Sequence, residues 1–332
     1  MSESPPRLRK VWPLLTGAVV AGVLGYLFFV FPYASGYGDF RMRVVTAMRF
    51  LWMDPDWTHG MLVPPIVLAL LIYKRKQLFA TVPAGSMWGL PVLILGFFVY
   101  WIGYRANVYY FGFAAGQILL AGAILWFLGV QYFWRLFFIW CFFGFTWPLN
   151  AVAQELQVAY HLRVVMVQIS SGFLNLIGME NVVVGTSIQS AATGEAVQGS
   201  AYKLDVADPC SGIRSIFALL MVTALWGYLT LKEPWQRWVL FFSAPLLAII
   251  GNFFRIMLLV FGSLAFGTDF AIGEEGGTSK YHFFAGIAVF VVALTAMVIL
   301  SKFLKSGPKI FRRRHVVRNM GMGEKTVEET GG

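Results

Sequence analysis

Apolar blocks of about 20 residues recur along the 332-residue chain, the length that one helix needs to cross a hydrocarbon layer roughly 30 Å thick. Lipid cannot hydrogen-bond an open backbone, so each block is expected to be an α-helix. Composition agrees: 58% of residues are hydrophobic and 13% charged, where an ordinary soluble domain carries roughly 25%. The sequence therefore excludes a soluble globular fold. It predicts an all-α polytopic membrane protein, a single integral membrane domain over 1–332, with about eight transmembrane helices at residues 12–33, 60–73, 88–104, 109–129, 133–149, 211–231, 238–266 and 281–303. Trp and Tyr mark many of these ends, as expected at headgroup level.

Residues 156–178 are ambiguous, because His161, Arg163, Gln168, Ser170, Ser171 and Asn175 are scattered among apolar side chains. That polar content favours an amphipathic helix lying at the interface over a ninth span. With eight spans, one side collects about 17 of the 26 Lys and Arg, including Lys74, Arg75, Lys76 and the tail, against about eight on the other. Both termini are then expected in the cytoplasm of a cell whose inner membrane holds the chain, with residues 304–332 as a basic cytoplasmic tail. The net charge of +10 is accounted for by basic flanks meeting an anionic leaflet of membrane lipid, and no nucleic acid is implied. The first apolar block lacks a small-x-small exit and is long enough to span, so no cleavable signal peptide is read there.

This topology gathers the unusual residues on the extracytoplasmic side: Asp54, Asp56, His59, Glu274, Glu275, His282 and a small extended insertion, 150–209, between spans five and six. Within the insertion, 181–189 reads as a short strand with a glycine break, and 191–200 as a turn region, together forming a flap over the membrane mouth.

Cys210 stands where the insertion meets the sixth span, in Asp208-Pro209-Cys210-Ser211-Gly212-Ile213-Arg214-Ser215. Asp208 suits an N-cap and Pro209 the first helical position, placing Cys210 in the first turn. Unpaired amides and the helix dipole there favour thiolate, although Asp208 opposes it slightly. Gly212 allows a substrate backbone close approach, and Arg214 shares a helical face with Cys210. The other cysteine, Cys141, lies in an aromatic-rich apolar stretch with no route to Cys210, so no disulfide is expected. Arg255, in Gly251-Asn252-Phe253-Phe254-Arg255, is deep in the seventh block, where a cation costs about 2.5 to 3.5 kcal/mol unless it meets water or an anion. It stands 11 residues before the block's outer end, roughly 16 Å along a straight helix, so either the helix projects or a wet cleft reaches inward. Pro245 offers a kink. His282 opens the last span. Taken singly, a cysteine is more often a small buried hydrophobe and a histidine an interfacial hydrogen-bonder. An intramembrane arginine more often marks a site or pathway. Their coincidence at helix ends on one side points to a site, without fixing the reaction.

Competing patterns are weaker. Gly36-Tyr37-Gly38-Asp39 matches an intramembrane aspartyl-protease string but lies in a loop without a paired intramembrane aspartate. There is no His-Glu-x-x-His. Asp54, Asp56 and His59 could meet a metal, yet Asp-Pro-Asp before a helix reads more simply as a cap and turn. No cofactor or metal is expected, and His59 is held as a substrate-contact or structural residue and a reserve acid/base.

The Pro209-to-Ser215 run, Asn252-x-x-Arg255 and His282-x-x-x-Gly286, in that order on successive late spans, resemble the exosortase/archaeosortase family of polytopic cysteine transpeptidases. The segment 54–64, with its basic exit at Lys74–Lys76, also resembles that family's amino-terminal signature. The resemblance implies a thiol protease or transpeptidase cleaving exported proteins that end in a short Pro-Glu-Pro-like motif, a transmembrane helix and a basic tail. By the same analogy Cys210 is nucleophile, Arg255 the oxyanion or thiolate partner and His282 the acid/base, with Arg214, Asn252 and His59 as supporting residues. A link to exopolysaccharide assembly belongs to the same set of expectations. A transporter of anionic or lipid-linked polysaccharide would also use an internal arginine, but neither inverted repeats nor matched broken helices are visible, and Cys210 would then tolerate Ala. A noncatalytic membrane scaffold would tolerate replacement of Cys210, Arg255 and His282 alike.

Overall fold

A computed structural model describes residues 6–35, 39–54, 57–80, 82–148, 157–192, 194, 197–205, 213–273 and 279–306. Cys210, Asp56, Glu274, Glu275 and most of the basic tail lie outside them.

Every one of the eight apolar blocks contains a helix. In chain order the helices are α1 (Pro6–Phe29), α2 (Val44–Trp52), α3 (Val63–Phe79), α4 (Gly89–Ala106), α5 (Tyr109–Ala123), α6 (Val130–Phe143), α7 (Val158–Leu176), α8 (Ile213–Thr230), α9 (Pro234–Phe266), the short α10 (Thr268–Ala271) and α11 (Lys280–Ser306). Among the described residues four are long and apolar enough to cross a membrane: α4, α5 with the π-turn that extends it to Leu128, α9 and α11. Shorter apolar helices run over Thr16–Phe29 and Arg214–Thr230. Large side chains such as Ile94, Phe98, Phe242 and Phe283 are exposed on these helices, as faces turned to lipid would be.

Local chemistry sets the ends. Pro64 lies in the first turn of α3, where a missing N–H costs nothing. Glu233 and Gln236 close a capping box at the start of α9, followed by Pro234 at the first position. Asn107 ends α4 in the left-handed region, φ 58°, and its side chain bonds Ser35, tying α4 to the loop after α1. The fifth block was expected to stay helical to residue 149, but α6 stops at Phe143 and turns through a 3₁₀ segment, Gly144–Thr146. There Gln117 of α5 donates to the Trp140 carbonyl at 2.6 Å and accepts from the Trp147 indole at 2.8 Å.

The interior is a chain of linked apolar cores. One joins Tyr33, Leu93, Tyr100, Phe113 and Leu119; a second joins α3 and α6 to Met221 of α8; a third joins α8, α9 and α11 through Leu219, Ala244, Ala248 and Ala293. Phe138 of α6 stacks on Tyr228 of α8 at 3.7 Å, binding the halves together.

The extended flap is a three-stranded antiparallel sheet, β1 (Asn181–Val184), β2 (Ser187–Ser190) and β3 (Lys203–Asp205), in that order. The expected glycine break is the hairpin turn itself, Gly185–Thr186, with Gly185 at φ 62°. Strand β3 was not foreseen; three residues carry too little alternation to register. Within 156–178 the described residues do form a helix, α7, over Val158–Leu176. Its Met166, Val167 and Leu174 pack with Ile188 and Leu204 of the sheet against Ile256, Met257, Leu259 and Val260 of α9. Its polar positions find a protein partner: Ser171 Oγ meets Asn181 Oδ1 at 2.6 Å, and Asn181 donates to Asn175 at 2.8 Å.

Candidate functional site

Helix α9 sets the level of the site. Its 33 residues span about 50 Å, well beyond the roughly 30 Å of a hydrocarbon core. Arg255 follows Pro234 by 21 residues, about 32 Å along the axis, so one membrane thickness separates it from the start of its helix. Just past it, Ile256, Met257, Leu259 and Val260 are covered by α7 and the sheet. A small open sheet has edge amides that lipid cannot satisfy, so this end of α9 belongs outside the hydrocarbon.

Arg255 faces α11. A Cβ built on Gly286 would lie 3.5 Å from both the guanidinium carbon and Nη2, so the cation stands about a methyl's width from that glycine. His282, one turn earlier on α11, is 9% exposed and interacts electrostatically with Arg255; its ring also bonds the Ile272 carbonyl. A ring N–H held by a carbonyl fixes the tautomer and leaves the other nitrogen a lone pair for proton transfer. Ser279 builds this end of α11: its Oγ accepts from the His282 amide at 3.0 Å and donates to the Ala271 carbonyl at 2.9 Å. Asn252, 5% exposed and one turn before Arg255, lines a cavity of about 20 Å³ together with Arg255, Ser215 and Gly286.

The first turns of α8 touch both halves of the chain. Arg214 lies near His59, which sits in the 3₁₀ turn Thr58–Leu62 before α3, outside the spanning segments. Burial, and then the Arg214 charge, lower the His59 pKa to about 4, so its imidazole is neutral at ordinary pH. Trp57 is fully buried, its ring 4.8 Å from that of His59 and 4.8 Å from that of Phe217 on α8. Gly60 is required here, since a Cβ would come within 2.5 Å of the Trp57 indole nitrogen.

Of the sequence-predicted residues, Arg255, His282 and Asn252 are brought together, and Arg214 meets His59. Cys210 lies outside the described residues, three positions before Ile213 opens α8. Ser215, Ser279 and Trp57 were missed as site residues, because each is a common residue with no charge or spacing to mark it. Among the described residues no group of three His, Cys, Asp or Glu could hold a metal ion.

A bundle with four helices long and apolar enough to cross a membrane, and with a cation and an imidazole brought together between α9 and α11, defines a multi-pass membrane protein. A family model described as transmembrane exosortase matches residues 51–299, well over half of the chain. The chain belongs to the transmembrane exosortase family. No curated protein and no solved structure matches it.

Proposed function

We propose that the chain is a membrane-embedded cysteine protease or transpeptidase that removes carboxy-terminal sorting signals from exported proteins. The observation that carries this reading is the meeting of Arg255 and His282 beside the first turns of α8, the helix that Cys210 immediately precedes. His282 takes the proton of the Cys210 thiol as the sulfur attacks a substrate carbonyl, and the oxyanion that forms is stabilised by the Arg255 guanidinium. As the C–N bond breaks, protonated His282 gives its proton to the leaving amine, which departs with the substrate's membrane anchor. The thioester is then attacked by water or an acceptor amine; His282 takes the proton and returns it to the departing sulfur, restoring the thiol. Arg214, Asn252 and His59 support these groups without carrying the chemistry.

The substrates in this reading are exported proteins ending in a Pro-Glu-Pro-type motif, an apolar helix and a basic tail, in cells where exopolysaccharide assembly is the associated process. Eight of the helices cross the inner membrane with both termini cytoplasmic, α7 and the sheet cover the extracytoplasmic mouth, and the basic tail meets the lipid headgroups. The test is coexpression, as wild type and as Cys210→Ala, with an export reporter carrying such a tail, its size followed by blot. Shortening with wild type and none with Cys210→Ala is expected. Equal cutting by the variant overturns the thiol mechanism, and wild-type failure on a motif series overturns the substrate assignment.

A further inference from the structure

Among the described residues, Ser215, Asn252 and Arg255 bring polar side chains to the cavity beside Arg255. Its volume, about 20 Å³, exceeds the roughly 10–15 Å³ that one water needs. Three polar side chains are also what a buried water uses, on the order of three hydrogen bonds. The small residues Gly251, Gly286, Ala248 and Ala293 keep the space open.

Ser215, like the buried Ser170 of α7, lacks the back-bond that several helix hydroxyls make, and of the two it is Ser215 that lines the cavity. Those hydroxyls fold back onto a carbonyl one turn earlier: Thr223 onto Leu220, Thr230 onto Trp226, Ser243 onto Leu240, Ser263 onto Leu259, Thr295 onto Val291 and Ser301 onto Val298, all at 2.7–3.0 Å. Ser215 makes no such bond among the described residues and lines the cavity instead. Arginine offers five donors and an asparagine amide both donors and an acceptor, so Arg255 and Asn252 retain capacity for a further partner whatever else they bind.

We propose that this cavity is a binding site for one water molecule, which joins the Ser215 hydroxyl on α8 to Asn252 and the Arg255 guanidinium on α9. Ser215 is thereby a positioning residue. It holds the cation in register with the helix that begins just after Cys210, acting through Arg255 rather than on the substrate. The inference deepens the thiol reading above and rests on it for its kinetic consequence, but the water site stands on geometry alone.

The test compares Ser215→Thr and Ser215→Val, which share a shape and differ by one hydroxyl. In purified full-length protein, Thr is expected to recover most of the wild-type cleavage rate on the tailed reporter. Val is expected to lose at least tenfold in kcat, with KM within twofold and the two variants melting alike. Equal rates for Thr and Val, or a loss in Val that follows a lower melting temperature, overturns the positioning role. A structure of the wild type fine enough to place waters is expected to show one within hydrogen-bond reach of Ser215, Asn252 and Arg255, and its absence overturns the site. The Cys210→Ala control separates the outcomes: if it cuts like wild type, the thiol reading falls while the water density still decides the site.

Discussion

At the scale of single residues, the proposed mechanism asks Arg255, whose guanidinium faces Gly286, to act as an oriented oxyanion donor. A lysine delivers one compact charge on a flexible stem and lacks the planar fork that fixes the direction of its donors. Arg255→Lys is expected to lower kcat by about 10²- to 10³-fold, the cost of losing one oriented oxyanion donor, with little change in KM or melting temperature. Steady-state kinetics on the tailed reporter decides it, and near-normal kcat would remove Arg255 from the chemistry. His59 gives the pH prediction. Its folded pKa, about 4, lies below the ordinary value of 6.5, so the folded state prefers the neutral ring. The associated stability is complete above pH ~6.5 and is lost as pH falls toward 4. Arg214→Gln removes the repelling charge, so the His59 pKa is expected to rise, though burial keeps it below normal; NMR titration of labelled histidine measures it. An unchanged pKa would mean that burial alone sets it.

At the scale of elements, the sequence was most legible where physics is simplest. Eight apolar blocks announced eight helices because hydrophobic length survives any tertiary context, whereas the end of α6 was misplaced because Gln117, distant in sequence, binds Trp140 and Trp147 there. The polar residues of α7 suggested a helix lying on lipid headgroups. Two of them also serve Asn181, a pairing that no periodicity encodes. Asn181 also donates to the carbonyls of Ser171 at 3.2 Å and Met179 at 3.1 Å, so one side chain fastens β1 to the end of α7. Asn181→Ala strands several of these groups and should cost about 1–3 kcal/mol, discounted because the pair with Asn175 is exposed. The readout is faster hydrogen exchange across the sheet while α4 and α5 stay protected. Uniform exchange across the whole bundle would show that the sheet is not a separate cooperative unit.

At the scale of the whole molecule, charge and residue chemistry singled out Arg255 and His282, but their proximity depends on α9 and α11 packing through small residues. Ser215 and Trp57 became visible only once α8 was seen to contact both the amino-terminal turn and α9. A linear chain hides this because residues 57, 215 and 255 share no spacing rule. Sequence length alone made Arg255 look buried; counting residues from the opposite end of the same helix puts it one membrane thickness away.

That long helix makes the molecule a gauge. On the proposed reading, its membrane crossing sets the height of the guanidinium, and a substrate anchored by its own helix in the same bilayer would have to present its scissile bond at that height. Selection would then rest on vertical offset as much as on the motif's letters. Adding five flexible residues between motif and anchor is expected to reduce cutting sharply, and a compensating deletion elsewhere in that linker to restore it. Cutting indifferent to linker length, read on the same blot, would mean that the motif alone is recognised.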